Sequence, residues 1–224
     1  MKKYQKNIDR KIIGIIPARM AASRFPGKPL KKICGIEMLS HVFLRAKLFN
    51  RWSSLIVALC DKEIKNFCIE KEYPYTTTSN KHIRCLDRVY EASKKIRNIK
   101  PNDIVVCVQG DEPMLKPDMI TKVIKPLIKN NKDCSVLAMD IENKEQYLNP
   151  NIVKIIHDLN GRVLYTSRSP VPHTKKFSKK IQAKRIYGIF AFTYKFLKKF
   201  SLTKASHLEN IESCDSNRIC DNYS

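Results

Sequence analysis

The sequence predicts an α/β fold, with a mostly parallel, mixed sheet and a smaller β-rich lobe. Three observations predict it. The strongest strand candidates are continuous apolar runs: "KIIGIIP" at 11–17, "SLIVALC" at 54–60 and "DIVVCVQG" at 103–110. Such strands are buried on both faces, as parallel strands covered by helices are. Stretches with helical spacing separate them, giving the strand–helix alternation that builds a parallel sheet. Beyond these runs the pattern changes, with four strand-like segments at 134–141, 151–158, 162–169 and 185–193 and fewer helices between them.

The elements follow in order. Lys11 to Pro17 is a buried strand that stops at proline. Met38 to Phe49 carries apolar residues at helical spacing. After the second strand, Asp61 stands where a helix N-cap is wanted, before Glu63 to Glu70. "YTTTS" at 75–79 is a short strand or strand end, and Cys85 to Ile96 is helical. "KPDMITKVIKPLI" opens with Pro117, a good first-turn residue. No repeat, low-complexity segment or linker divides the 224 residues, so one domain is expected.

Composition sets further bounds. Hydrophobic residues at 43% and charged residues at 29% suit a globular chain. No apolar run approaches the roughly 18 residues of a membrane span. The basic start "MKKYQKNIDRK" precedes too short an apolar run for a secretory leader, so a cytoplasmic protein is expected. The eight cysteines form no C-x-x-C pair, and several lie in apolar runs, which predicts buried free thiols in a reducing compartment. Lysine and arginine number 43 against 21 acidic residues, a formal charge of +22. The cations are spread over the whole chain, densest at His173 to Arg185; this is the pattern of solvated faces rather than of a nucleic-acid groove.

Ligands of open α/β sheets bind beyond the carboxyl ends of the strands. Two such ends are marked here. "IIPARMAASRFPGKPL", Ile15 to Leu30, leaves a strand into a loop of small residues with Arg19, Arg24 and Lys28. Backbone N–H groups and cations in such a loop can hold phosphates, although neither G-x-x-x-x-G-K-[ST] nor G-x-G-x-x-G is present. "VQGDEP", Val108 to Pro113, places Asp111 and Glu112 after the third strand. A carboxylate there suits Mg²⁺, which takes one or two carboxylates together with phosphate oxygens and water.

These two motifs resemble the 3-deoxy-manno-octulosonate (Kdo) cytidylyltransferases, a family of sugar nucleotidyltransferases. The resemblance continues through "HIRCLDRVYEA", "NPNIVKII", "LYTSRSPVP" and "HLENIESCDSNRI", from about Lys11 to Asn222. It implies a Rossmann-like, glycosyltransferase-A-like three-layer sandwich. A nucleotide-binding part would span about 11–130, and a sugar-binding and dimerisation part about 131–224. It also implies Mg²⁺-dependent transfer of CMP from CTP to an acidic 2-keto sugar, with release of pyrophosphate, for lipopolysaccharide or surface polysaccharide synthesis, by a homodimer.

Carried over by position, Arg19 and Lys28 would neutralise the triphosphate, with Arg24 assisting and Ala18 offering backbone. Ser79, Arg84 and Gln109 would lie near the cytosine or ribose, with His82 in the same stretch. Asp111 would hold the metal. Arg168 would meet the sugar-acid carboxylate or a phosphate, and Glu209 the sugar hydroxyls. Three departures qualify the match. Cys85 and Leu86 replace a small residue and a threonine near the base. Ile186 and Phe190 stand where family members carry histidine and tyrosine; both lose hydrogen-bonding ability, which points to a Kdo relative or another 2-keto acid rather than Kdo itself. The family's acidic Val-Asp-Thr-x-x-Asp segment does not follow "NRICDNYS", so a C-terminally shortened chain is expected. It would lack the second metal ligand, and the alternatives are a nucleotide-binding remnant without turnover or cytidylyl transfer to a different sugar.

Overall fold

The computed structural model describes residues 10–21 and 25–223. The chain divides into two compact units. The first holds the chain up to Val136 together with Gly188–Ser201, and the second holds Leu137–Tyr187 and the residues from Leu202 onward.

The first unit begins with β1 (Ile12–Pro17), whose residues from Ile12 to Ile16 are all buried. A tight hairpin follows, β2 (Lys32–Ile33) with β3 (Ile36–Glu37). Its two-residue connection, Cys34 and Gly35, has positive φ at both positions, as the right-handed strand twist requires. This hairpin is too short for any periodicity to reveal. α1 (Met38–Lys47) buries Met38, Leu39, Val42, Phe43 and Ala46, a stripe of helical period. β4 (Ser54–Leu59), α2 (Lys62–Glu70), β5 (Tyr75–Thr77), α3 (Cys85–Lys94), β6 (Ile104–Val108) and α4 (Pro117–Lys129) complete the alternation.

Pairing is parallel among β5, β4, β1 and β6. β1 lies between β4 and β6, with Ile13 opposite both Ser54 and Val105. Successive residues of β1 and β6 are buried, so both faces of each strand are covered, and this is why they read as unbroken apolar runs. β7 (Cys134–Asp140) and β10 (Lys184–Thr193) bring in the mixed character, since β10 pairs antiparallel with β6. The last residues of β10 and all but the final residue of α6 (Tyr194–Leu202) finish the first unit. Phe192 is fully buried, and its ring centroid lies 6.4 Å from those of Phe196 and Phe200 on α6.

The second unit carries α5 (Lys144–Leu148), β8 (Lys154–His157), β9 (Val163–Ser167), α7 (His207–Glu212) and α8 (Asp215–Tyr223). β8 pairs antiparallel with β9, and with the start of β10. Between the strands from β7 to β10 the described residues form one short α-helix, α5, and a 3-10 turn, as the sequence pattern suggests; α6, α7 and α8 follow β10, and a capping box starts α7.

All eight cysteines are free thiols, with Cys68, Cys107 and Cys214 buried. No described helix is long and apolar enough to cross a membrane. Removing the Phe192 ring leaves a cavity walled by other rings and strands. Urea unfolding of Phe192→Ala is expected to show a loss of about 3–5 kcal/mol.

Candidate active site

In the first unit the carboxyl ends of β1 and β6 lie side by side, because the two strands pair directly in parallel. Pro17 ends β1, and the Ala18 N–H then donates to the carbonyl of Ala58 at 2.9 Å. The Met20 N–H donates to Asp61 Oδ2 at 2.9 Å. Asp61 does occupy the N-cap position of α2, but its side chain makes no cap bond there. It anchors the cationic loop instead. The loop closes where the Gly27 N–H meets the Met20 carbonyl at 3.0 Å. Gly27 takes φ +71°, a left-handed conformation that glycine adopts without strain, and a short 3-10 turn at Lys28–Leu30 follows.

That turn aims Lys28 across to the second loop. Its Nζ lies 2.8 Å from Asp111 Oδ2, with the two side chains 36% and 46% exposed. Gly110 makes the approach possible. A Cβ on it would sit 2.8 Å from the Pro17 carbonyl oxygen, which is backbone and cannot turn aside. Behind this loop, Glu112 accepts the Gly188 N–H at 2.8 Å, and the Gln109 N–H donates to the Gly188 carbonyl at 2.8 Å. Gln109 also donates its side-chain amide to Cys85 Sγ at 3.6 Å. A side chain at Gly188 would collide with both Gln109 and Glu112.

The remaining residues assigned to the nucleotide lie in this unit too. Ala18 is buried and Arg19 is exposed at the mouth of the first loop. Ser79 and Arg84 are half-buried in the segment between β5 and α3. Arg24 lies outside the described residues. Leu86, at the position expected to touch base recognition, is fully buried. Phe190 is buried as well, opposite Cys107 in the sheet and stacked with Phe192.

Asp111 suits a divalent cation. It is a half-exposed carboxylate beside a cation-bearing loop. No group of three metal-ligating acidic, histidine or cysteine side chains occurs among the described residues. That donor set fits a hard ion held mainly by phosphate oxygens and water.

In the second unit, the two residues assigned to the sugar have internal partners. Arg168 donates Nε to the Glu212 carbonyl at 2.6 Å, Nη1 to the Pro150 carbonyl at 2.9 Å and Nη2 to the Ser213 carbonyl at 3.2 Å. Lys154, a fully buried lysine that sequence reasoning passed over, donates to the carbonyls of Asn149 and Arg168 at 2.6 and 3.0 Å. Burial and the neighbouring Arg168 charge hold its ammonium below the ordinary lysine value. Glu209 is fully buried. Its Oε2 and Oε1 each accept from Arg218 at 2.7 Å, and it closes the capping box of α7 with Ser206. Both oxygens therefore serve the α7–α8 joint rather than an open surface. Its spacing three residues after Ser206 was the available signal for that cap.

The comparisons with known proteins complete the picture. A family model described as cytidylyltransferase matches residues 13–223. The chain belongs to the cytidylyltransferase family. A 3-deoxy-manno-octulosonate cytidylyltransferase of Thermodesulfovibrio yellowstonii is 36% identical, covering 94% of this chain and 86% of its own. One from Fusobacterium nucleatum is 37% identical, covering 95% of this chain and 85% of its own. A solved CMP:2-keto-3-deoxy-manno-octonic acid synthetase complexed with CTP superposes with a TM-score of 0.83 at 29% identity, covering 94% of this chain and 86% of that one. A 4-diphosphocytidyl-2C-methyl-D-erythritol synthase, at 14% identity and a TM-score of 0.58, shares the Rossmann-like fold.

Two outcomes follow for this cytidylyltransferase. Glu209→Ala strands the buried Arg218 without its counter-charge, and chemical denaturation should show a loss of about 3–5 kcal/mol. Glu212 gives a pH effect. Burial alone would raise its pKa, but the Arg168 N–H, the Tyr165 and Ser167 hydroxyls and the Arg168 charge outweigh it and hold the carboxyl below its ordinary 4.5. A carboxyl lowered on folding adds stability above its unfolded value, and that share is lost as pH falls through the folded value. The unfolding midpoint should therefore drop as pH falls below 4.5, and Glu212→Gln should flatten the drop.

Proposed function

We propose that this cytidylyltransferase transfers CMP from CTP to the anomeric hydroxyl of a 2-keto sugar acid, Kdo or a close relative, and releases pyrophosphate. The observation that carries the reading is the meeting of Lys28 and Asp111 at the joined ends of β1 and β6. The names of the relatives support the choice of CTP and Kdo. The product would enter lipopolysaccharide synthesis. Homodimerisation rests on the family resemblance.

The reaction needs little covalent help from the protein. The sugar hydroxyl attacks the α-phosphorus and gives its proton to solvent, the bond to the bridging β-phosphate oxygen breaks, and pyrophosphate leaves with the electron pair. Positioning and charge neutralisation supply much of the catalysis in such transfers. Arg19 and Lys28 would hold the triphosphate, with the backbone after Pro17 packed close to it. An exposed ion pair is worth at most about 1 kcal/mol, so Lys28 can leave Asp111 for a phosphate oxygen at small cost. Asp111 would then hold Mg²⁺, which when bound offsets phosphate charge. Gln109 and Ser79 would face the base and ribose, and Arg24 would assist the phosphates. Arg168 would meet the sugar-acid carboxylate, whereas Glu209, buried with both oxygens on Arg218, would serve the α7–α8 joint rather than the sugar hydroxyls.

Pyrophosphate release from CTP, Mg²⁺ and Kdo, with related keto acids as alternatives, tests the reading. Release with at least one acceptor is expected, and EDTA should abolish it. Lys28→Ala and Asp111→Asn should each lower kcat/KM about a hundredfold or more while unfolding curves stay unchanged. No release with any acceptor would overturn the proposal.

A further inference from the structure

One side of α3 forms a rack for the segment that precedes it. Arg88 and Glu91, with Lys95 just past the helix end, recur at intervals of three and four, so they project on one side. Each takes hold of a different group of residues 77–82. Lys95 Nζ donates to the Thr77 carbonyl at 2.6 Å. Arg88 Nη1 donates to Thr78 Oγ1. Glu91 Oε2 accepts the Ser79 N–H at 2.9 Å and meets His82 Nε2 at 2.5 Å. Lys95 also approaches Glu91 Oε1 at 3.8 Å.

The two ends of this segment differ in how firmly they are held. Thr78 is buried and tied back to β4, its N–H donating to the Leu59 carbonyl at 2.7 Å and its hydroxyl at 3.0 Å. Arg88 behind it is 3% exposed. Beyond Ser79, no regular structure holds the chain until α3 begins at Cys85. One carboxylate, that of Glu91, gathers both Ser79 and His82 across this stretch. Lys81, His82, Arg84, Arg88 and Lys95 all cluster in or against it. Burial would raise the Glu91 pKa, but the Ser79 N–H, His82 and Lys95 together keep it below the ordinary value, so it stays an anion.

We propose that Glu91 is a positioning residue for base recognition. It sets Ser79 through Arg84 in the conformation that meets the pyrimidine, without itself touching the nucleotide. The inference rests on the cytidylyl-transfer reading, in which Ser79 and Arg84 lie beside the cytosine and ribose. Loss of the Glu91 charge frees the segment between its two anchored ends. The error then falls on base contacts rather than on the triphosphate, which Arg19, Lys28 and Asp111 hold separately.

The test is kinetic and direct. Glu91→Gln keeps the side-chain shape and one acceptor oxygen but removes the charge, and Glu91→Ala removes both. With Kdo and Mg²⁺, KM for CTP should rise about tenfold in Glu91→Gln, the scale of a lost charge-assisted hydrogen bond, with kcat within about twofold. The preference for CTP over UTP should fall about tenfold, and further in the alanine variant. Calorimetric binding of CTP and UTP to the same proteins gives the ratio without turnover. Circular dichroism of the glutamine variant checks that it folds. A wild-type chain that neither binds nor turns over CTP overturns the functional reading and this inference together. Wild-type turnover, with an unchanged CTP:UTP ratio in both variants, overturns this inference alone.

Discussion

The parallel pairing of β1 with β6 is the constraint on which the rest of the site depends. Two parallel neighbours must end at the same edge, so the loops that leave them start side by side. Pro17 stops the first strand and removes a ladder donor, forcing the chain out. Gly110 lets the exit of the second strand press against the Pro17 carbonyl. A loop of cations and a loop with a carboxylate are thereby brought into contact, although Lys28 and Asp111 are 83 residues apart. No local propensity could produce that contact.

Burial separates charges that can change partners from charges that cannot. Lys28 and Asp111 are well exposed, so their attraction is weak and easily exchanged for a phosphate or a metal. Glu209 and Arg218 are buried to 0% and 4% side-chain exposure, and neither can leave the other without stranding a charge. Lys154 is held in the same way by carbonyls. The same residue types therefore stand in opposite settings: exposed and exchangeable at the sheet edge, buried and fixed in the second unit. The charge of +22 adds to this in a diffuse way, since lysines such as Lys179 and Lys184 pair locally with Glu142 and Asp140.

Much of the first unit was legible in the sequence. The runs at Ile12–Pro17, Ser54–Leu59 and Ile104–Val108 carry their own burial pattern, and the helices between them carry a 3.6-residue stripe. The rest was hidden because it depends on partners far along the chain. Asp61 looked like a helix cap, because Asp before a helix usually is one; the nearby Met20 N–H took its carboxylate instead. α6 has a short apolar repeat that becomes decisive only against Phe192. Glu91 is an ordinary helix-surface glutamate until the segment from Thr77 to His82 folds back over it.

By itself, the sequence determined the α/β class, the parallel core, the two strand-end motifs and, through them, the cytidylyltransferase family. These depend on hydrophobic periodicity and on contiguous residues, both of which are local. Only the tertiary structure decided which charges meet. It joined Lys28 to Asp111, withdrew Glu209 and Lys154 into the interior, and turned α3 into a support for the residues before it. The physical reason is that a charge is defined by its solvent and its partners. Both are set by the packing of elements distant in sequence.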